Sequence, residues 1–122
     1  MKLNLKFFEI PAADFKRAIE FYELIFQVKF KTFESKTEKM AFFPDECNIM
    51  GSISYSKDFS PSNQGVLITF EATKDLNTVL DKIKTSGGKI VKPKTKIEAE
   101  NMGYFALFLD SEGNRIGLYS EE

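Results

Sequence analysis

The sequence carries one helical pattern twice, in positions half a chain apart. An α-helix with one buried face repeats apolar residues at i, i+3, i+4 and i+7. Two stretches do so: Phe15, Ala18, Ile19 and Tyr22, and then Leu76, Val79, Leu80 and Ile83. Their starts are 61 residues apart in a chain of 122 residues, whereas solenoid repeats have periods of about 20 to 50 residues. The repeat therefore indicates two similar modules within a single domain, residues 1–122.

Each predicted helix lies within the same order of elements. Asp14 is placed to cap the first helix and Thr73 or Asp75 to cap the second, and Gly87 with Gly88 ends the second helix. Alternating or β-rich stretches predict strands at residues 3–10, 28–34, 39–44, 49–55, 66–72, 89–95, 103–110 and 115–120. The predicted order of elements in both modules is thus β-α-β-β-β. Module one spans about residues 1–60 and module two about residues 61–122.

This order predicts an α+β fold with an uncovered face. In each module a single helix covers one face of the sheet, and the other face needs a cover as well. The sister module, a second chain or a ligand can supply that cover. We therefore expect the sheets to form a cup.

The composition excludes several classes of function. The net charge is −1, without the basic excess of a nucleic-acid-binding protein. The absence of histidine removes the commonest metal ligand and general base. The single cysteine, Cys47, cannot form an intrachain disulfide, and we expect an inert thiol there. Neither a membrane span nor a signal peptide is evident, so the predicted location is cytoplasmic.

Several stretches, taken in order, resemble one known family. They are the opening EIPAADFKRAIEFYELIF, the link SPSNQG, the helix stop SGGKIV and the ending YFALFLDSEGNRIGLYS. Together they resemble the vicinal oxygen chelate superfamily of glyoxalase I, bleomycin-resistance proteins and extradiol dioxygenases, over essentially the whole chain. The resemblance implies two βαβββ modules that curl into an open, cup-shaped half-barrel. It also implies a homodimer, in which the modules pair either within one chain or across the two chains.

The same resemblance indicates where metal-using relatives place their four ligands, usually His, Glu or Gln. Three of these positions correspond to Phe7, Ile68 (or Val66, if the alignment shifts) and Gly117, and the fourth falls near residues 51–53. None of the side chains at the first three positions can bind a divalent cation. The sequence therefore predicts no metal site and no cofactor. Gly117 is also expected to leave room on the floor of the cup.

Strand alternation indicates which side chains line the cup. If Phe7 faces the cup, so does Glu9, while Phe8 and Ile10 pack on the helix. If Gly117 faces it, so do its strand neighbours at i−2 and i+2. The predicted ligand-binding cup comprises Phe7, Glu9, Ile68, Phe70, Tyr104, Arg115, Gly117 and Tyr119.

Most of these residues also have a structural interpretation. Glu9 is a weak candidate for a general base, and otherwise a carboxylate paired with Arg115 or a lysine. Arg115 either grips an anionic ligand or lies in solvent. Tyr104 and Tyr119 either orient a ligand or complete the wall of the barrel, and Phe70 is a core residue before it is a stacking platform.

The function predicted from these residues is metal-independent binding of a small, partly apolar molecule. An alternative is a lyase or dioxygenase-type metalloenzyme with a non-standard donor set, for example Glu9, Glu71 and Asp110. A further alternative is an interaction module in which the cup is only a hydrophobic core. The sequence does not indicate a particular reaction, and it predicts neither nucleic-acid nor membrane partners.

Overall fold

The computed structural model describes all 122 residues and contains eight strands and two α-helices. Module one comprises β1 (Phe8–Pro11), α1 (Phe15–Phe26), β2 (Lys31–Glu34), β3 (Glu38–Phe42) and β4 (Gly51–Ser56). Module two comprises β5 (Ile68–Glu71), α2 (Leu76–Thr85), β6 (Lys89–Lys96), β7 (Tyr104–Leu109) and β8 (Arg115–Ser120). The predicted α+β fold of two βαβββ modules in a half-barrel is confirmed.

The two modules form sheets of the same topology. The strand orders are β1-β4-β3-β2 and β5-β8-β7-β6, so the first strand of each module is an edge strand. It runs parallel to the last strand of its module, and the remaining pairs are antiparallel. Both helices pack on one face of this arrangement. We call the opposite face of each sheet, which points away from the helices, the open face.

Both helices begin at the aspartates expected from the sequence. The Asp14 carboxylate accepts a hydrogen bond from the Arg17 N–H, and the Asp75 carboxylate accepts one from the Asn77 N–H. These bonds satisfy N–H groups that have no partner within the helix. Of the two possible caps for α2, the structure selects Asp75. Gly87, with φ of +97°, follows the end of α2 in the left-handed region that glycine tolerates.

A single hydrophobic core joins the modules. The apolar faces of both helices and the helix-facing residues of both sheets form one cluster of 16 buried residues. Aromatic rings connect its halves: the Phe70 ring lies 5.8 Å from the Phe8 ring and 5.0 Å from the Phe26 ring. The modules of one chain thus pack on each other. Neither helix is long and apolar enough to cross a membrane.

The first strand is shorter than predicted. The alternation over residues 3–10 is real, but β1 begins only at Phe8, which pairs with Gly51 at the start of β4. Residues before Phe8 have no neighbouring strand in the chain, and a strand exists only where it has one. Met1, Leu3 and Leu5 consequently lie exposed.

The turn between β7 and β8 ties module two to the start of α1. Glu112 in this turn accepts hydrogen bonds from the N–H groups of Ala13 (3.0 Å) and Asp14 (2.7 Å). It also forms a salt bridge of 2.8 Å with Arg17. Its side chain is only 1% exposed, so this carboxylate is a buried anion with several donors. These bonds hold the two modules in register with each other.

We call the hydrogen bonds and the salt bridge of Glu112 the Glu112 clamp. Because of this clamp, we expect a specific loss of stability in acid. Burial disfavours the charged carboxylate, but hydrogen bonds from Arg17, the Asp14 N–H and Ser111 outweigh it and lower the pKa of Glu112. A lowered pKa in the folded state stabilises the protein above the unfolded pKa, near 4.5, and this contribution disappears as pH falls through the folded value. Urea unfolding between pH 3 and pH 7 should therefore show a steeper acid loss in the wild type than in Glu112→Gln.

The control for this experiment is Glu121→Gln, an exposed residue near the C-terminus. Its profile should follow that of the wild type at every pH. Parallel profiles for the wild type and Glu112→Gln would contradict the assigned clamp.

Candidate functional site

The strand register decides which predicted cup residues lie on the open face. Glu9 pairs with Ser52 on one sheet, and on the other Gly117 pairs with Thr69, between Arg115 and Tyr119. Their strand neighbours Ile10, Ile116 and Leu118 are buried in the core. Glu9, Arg115, Gly117 and Tyr119 therefore lie on the open face, as the alternation predicts. Phe7 immediately precedes β1 and is 55% exposed.

Ile68 and Phe70 lie on the opposite face from the one predicted. In β5 they pair with Ile116 and Leu118, and the partly buried Phe70 ring packs against the core. The open-face residues of β5 are Thr69 and Glu71. The loop between the first strand and the helix is one residue longer in module two, so the first strands are offset by 60 residues and the helices by 61. A slip of one residue reverses every side chain of a strand.

Tyr104 is also on the helix-facing side, contrary to the prediction that it lines the cup. It pairs with the buried Ser120, and the ammonium of Lys94 lies 4.5 Å from the centre of its ring. Lys94 in turn binds the α2 cap Asp75. Tyr119 remains on the open face, where its hydroxyl accepts a hydrogen bond of 2.8 Å from the Gly103 N–H. The tyrosines thus stabilise the sheet and its loops.

Gly117 does not leave the free space that the sequence suggests. A Cβ at this position would meet Thr69 Oγ1 at 2.5 Å and Thr69 Cβ at 3.2 Å. Thr69 of the neighbouring strand therefore fills the place of a side chain at 117. This contact explains the glycine in the middle of β8 as a close approach between strands.

We expect Gly117→Ala to destabilise the protein by about 1 kcal/mol, because an added methyl group forces a stiff β-branched neighbour to shift. In a Thr69→Ala background the same change should cost less, since the nearest hydroxyl is gone. Chemical unfolding of the four proteins in this double-mutant cycle measures the coupling. Equal costs in the two backgrounds would show that Thr69 does not occupy the space.

Glu9 is held by serine residues rather than by a cation. Ser54 Oγ donates a hydrogen bond of 2.9 Å to Glu9 Oε1, and Ser52 Oγ lies 2.8 Å from Ser54 Oγ. Both serines are buried, so the chain of hydroxyl groups fixes one carboxylate oxygen. The ion pair expected between Glu9 and Arg115 or a lysine does not form. Nothing in the sequence pattern distinguishes these two serines from other serines in strands.

A cavity of about 290 Å³ lies in the seam between the two sheets. It is bounded by the end of β1, the link at residues 59–67, the first residue of β5 and the beginning of β8. Glu9 and Arg115 line it together with apolar residues of the link. We call it the seam cavity. Ile68, although on the helix-facing side, contributes to its wall because β5 is an edge strand.

The link is attached to this seam by Asn114. Its side-chain amide donates to the Pro11 carbonyl at 2.8 Å, and its carbonyl oxygen accepts from the Ser62 N–H at 3.1 Å. One buried residue of the β7–β8 turn therefore binds both β1 and the link. The sequence does not reveal this role, because the three segments meet only in the folded chain.

The residues present do not fit a divalent metal ion. No group of three or more His, Cys, Asp or Glu side chains lies close enough together to hold one. The alternative donor set of Glu9, Glu71 and Asp110 does not assemble: Asp110 is buried in the β7–β8 turn, hydrogen-bonded to Tyr22 and Asn114. Cys47 is not a further donor in such a group, and burial raises the pKa of its thiol, which lowers the fraction of reactive thiolate.

The two βαβββ modules with a cavity between their sheets define a class of duplicated α+β proteins. Comparison with known proteins identifies the family. A family model for the Glyoxalase/Bleomycin resistance protein/Dioxygenase superfamily matches residues 4–118. The chain belongs to this superfamily. A search of curated proteins finds no match.

Solved structures of this superfamily share the fold at low sequence identity. A family enzyme from Burkholderia phytofirmans is 14% identical, with a TM-score of 0.70 over 98% of this chain and 100% of its own. The fosfomycin resistance protein FosX from Listeria monocytogenes is 19% identical, with a TM-score of 0.71 over 100% of this chain and 95% of its own. Glyoxalase I from Zea mays is 19% identical, with a TM-score of 0.70 over 93% of this chain and 43% of its own.

Proposed function

We propose that the protein binds a small, partly apolar molecule in the seam cavity and on the adjoining open face, without a metal ion. The observation that carries the proposal is the chemistry of this surface. Apolar link residues such as Phe59 and Leu67 share the lining of a cavity of about 290 Å³ with polar link residues and with the charged side chains Glu9 and Arg115. Small-molecule sites combine apolar walls with placed polar groups, and their volumes begin near 300 Å³.

The ligand positions of metal-using relatives support the metal-independent part of the proposal. Phe7 and Gly117 occupy two of them, and correcting the module offset moves the third from Ile68 to Leu67. None of these side chains donates to a metal. One solved relative, FosX, is described in complex with Mn(II) and 1S,2S-dihydroxypropylphosphonic acid. This chain has the same fold, so we infer that it keeps a small-molecule site and does not use the metal.

The test is a ligand screen by NMR on 15N-labelled protein. A broad panel of small aromatic and aliphatic compounds should contain members that saturate, with amide shifts concentrated at Gly65, Leu67 and Arg115. Leu67→Lys should weaken those ligands at least about tenfold, since it places a charge in the apolar part of the lining. Val91→Lys, at a similarly exposed apolar site outside the cavity, is the control.

Metal content is measured on the same preparation, purified without chelators. Substoichiometric metal together with saturable binding supports the proposal. One zinc, nickel, manganese or iron ion per chain, or no saturable ligand in the panel, contradicts it.

We also propose that the protein forms a homodimer, and the N-terminal segment supports this proposal. Met1, Leu3, Leu5 and Phe7 are exposed and alternate with polar residues, which is the pattern of a strand with one buried face. Nothing in the single chain buries that face. Sedimentation equilibrium should therefore give twice the chain mass of 14.0 kDa.

A matched pair of variants tests the role of this segment. Leu5→Glu should weaken the dimer, and Asn4→Glu, on the polar side of the same segment, should leave it intact. A wild-type protein that stays monomeric at high concentration contradicts the proposal.

A further inference from the structure

The seam cavity contains two opposite charges that do not neutralise each other. Glu9 reaches it from edge strand β1, and Arg115 reaches it from the first position of β8. Their charged atoms are more than 4.0 Å apart, since no salt bridge joins them. Neither residue has a salt bridge with any other side chain. All five salt bridges in the structure are formed by other residues.

Both charged groups retain hydrogen-bonding capacity. Ser54 occupies only Oε1 of Glu9, and Oε2 has no partner in the chain. The guanidinium of Arg115 takes part in no side-chain hydrogen bond and in none of the five salt bridges, although it has five N–H donors. The carboxylate is oriented by the buried pair Ser52 and Ser54. The charged groups that the cavity offers a ligand are therefore one positioned anion and one free cation.

We propose that the ligand of the seam cavity is a small zwitterion. Its cationic group binds the Glu9 carboxylate, its anionic group binds the Arg115 guanidinium in a two-pronged contact, and its apolar part rests on Phe59 and Leu67. A ligand with only a negative charge gains Arg115 but is repelled by Glu9, and a purely cationic ligand meets the reverse situation. Only a molecule with both charges satisfies both side chains. This inference rests on the proposed function and specifies its ligand class.

The experiment uses matched sets of four compounds built on an isobutyl, a phenyl and an indole group. Each set contains the amino acid (zwitterion), its amide (cation), the acid without the amino group (anion) and the amide of that acid (neutral). In at least one set the zwitterion should bind at least about tenfold more tightly than the other three members. Affinities come from NMR titration of the seam amides of the intact protein.

Two charge-removing variants assign the contacts. Arg115→Gln should reduce zwitterion and anion affinity about tenfold, raise cation affinity because the repulsion is gone, and leave the neutral compound unchanged. Glu9→Gln should reduce zwitterion and cation affinity and raise anion affinity, because it removes the charge that repels the anion. Asp81→Asn and Lys84→Gln, exposed on α2 and outside the cavity, are the matched controls and should change nothing.

The outcomes separate this inference from the proposed function. If neutral and zwitterionic members bind equally at the seam amides, the seam is a ligand site and the zwitterion proposal is overturned. If compounds of the broad panel bind there but no member of the three sets does, the zwitterion proposal is also overturned. If nothing binds at the seam, both proposals fail.

Discussion

Replacing Asp110 with alanine is expected to lower the free energy of unfolding by about 3 kcal/mol, because it removes a buried acceptor of four hydrogen bonds. Asp110 is 3% exposed and accepts four hydrogen bonds. They come from the Tyr22 hydroxyl (2.6 Å), the Glu112 N–H (2.9 Å), the Asn114 N–H (2.9 Å) and the Asn114 side-chain amide (3.0 Å). Alanine leaves these donors unpaired in the core and in the turn that joins the modules.

Urea unfolding followed by circular dichroism measures this effect at neutral pH. Tyr22→Phe removes only one donor of the network and should cost about 1 kcal/mol. Asp81→Ala, which removes an exposed aspartate of α2, should stay within about 0.5 kcal/mol of the wild type. A similarly small effect for Asp110→Ala would show that the network does not hold the modules together.

Replacing Gly51 with alanine is expected to lower the free energy of unfolding by about 2 kcal/mol through overpacking. Gly51 pairs with Phe8 across β4 and β1, and the Phe8 ring occupies the space that a Cβ at Gly51 would need. An added methyl group would lie well inside contact distance of three ring carbons. The ring cannot simply move away, because it packs 5.9 Å from Phe43 and 5.8 Å from Phe70.

A double-mutant cycle with Phe8→Leu separates the overpacking from any loss of strand propensity. Phe8→Leu alone loses aromatic packing, but in that background Gly51→Ala should cost less than about 0.5 kcal/mol. Ser56→Ala at the other end of β4 is the control for a change in the same strand. An undiminished cost of Gly51→Ala in the Phe8→Leu background would mean that the ring is not the obstacle.

The local elements of this fold were predictable because their signals are local. The spacing of apolar residues in α1 and α2 and the caps at Asp14 and Asp75 operate within a few residues of one another. The duplicated order of elements follows from these signals alone. The start of β1 was not predictable, because the alternation continues to the N-terminus while the neighbouring strand begins only at Gly51.

The candidate site was predictable only in part, because alternation is a local signal and the pairing between distant strands is not. The alternation correctly places Glu9, Arg115 and Tyr119 on the open face with Gly117, since each lies only two residues from its reference residue, Phe7 or Gly117. Extending the register from module one to module two failed for Phe70. One additional loop residue between β5 and α2 changes the spacing of that strand and helix, and no sequence signal marks that residue.

The sequence by itself determined the βαβββ duplication, the helices and their caps, and the absence of histidine from the protein. These properties depend on residue identity or on spacing along a helix. The tertiary structure alone decided that Thr69 fills the space at Gly117, that Asn114 binds β1 to the link, and that Glu9 and Arg115 share a cavity without pairing. Such contacts join residues distant in the chain, and strand register sets them, because a shift of one residue exchanges the two faces of a strand.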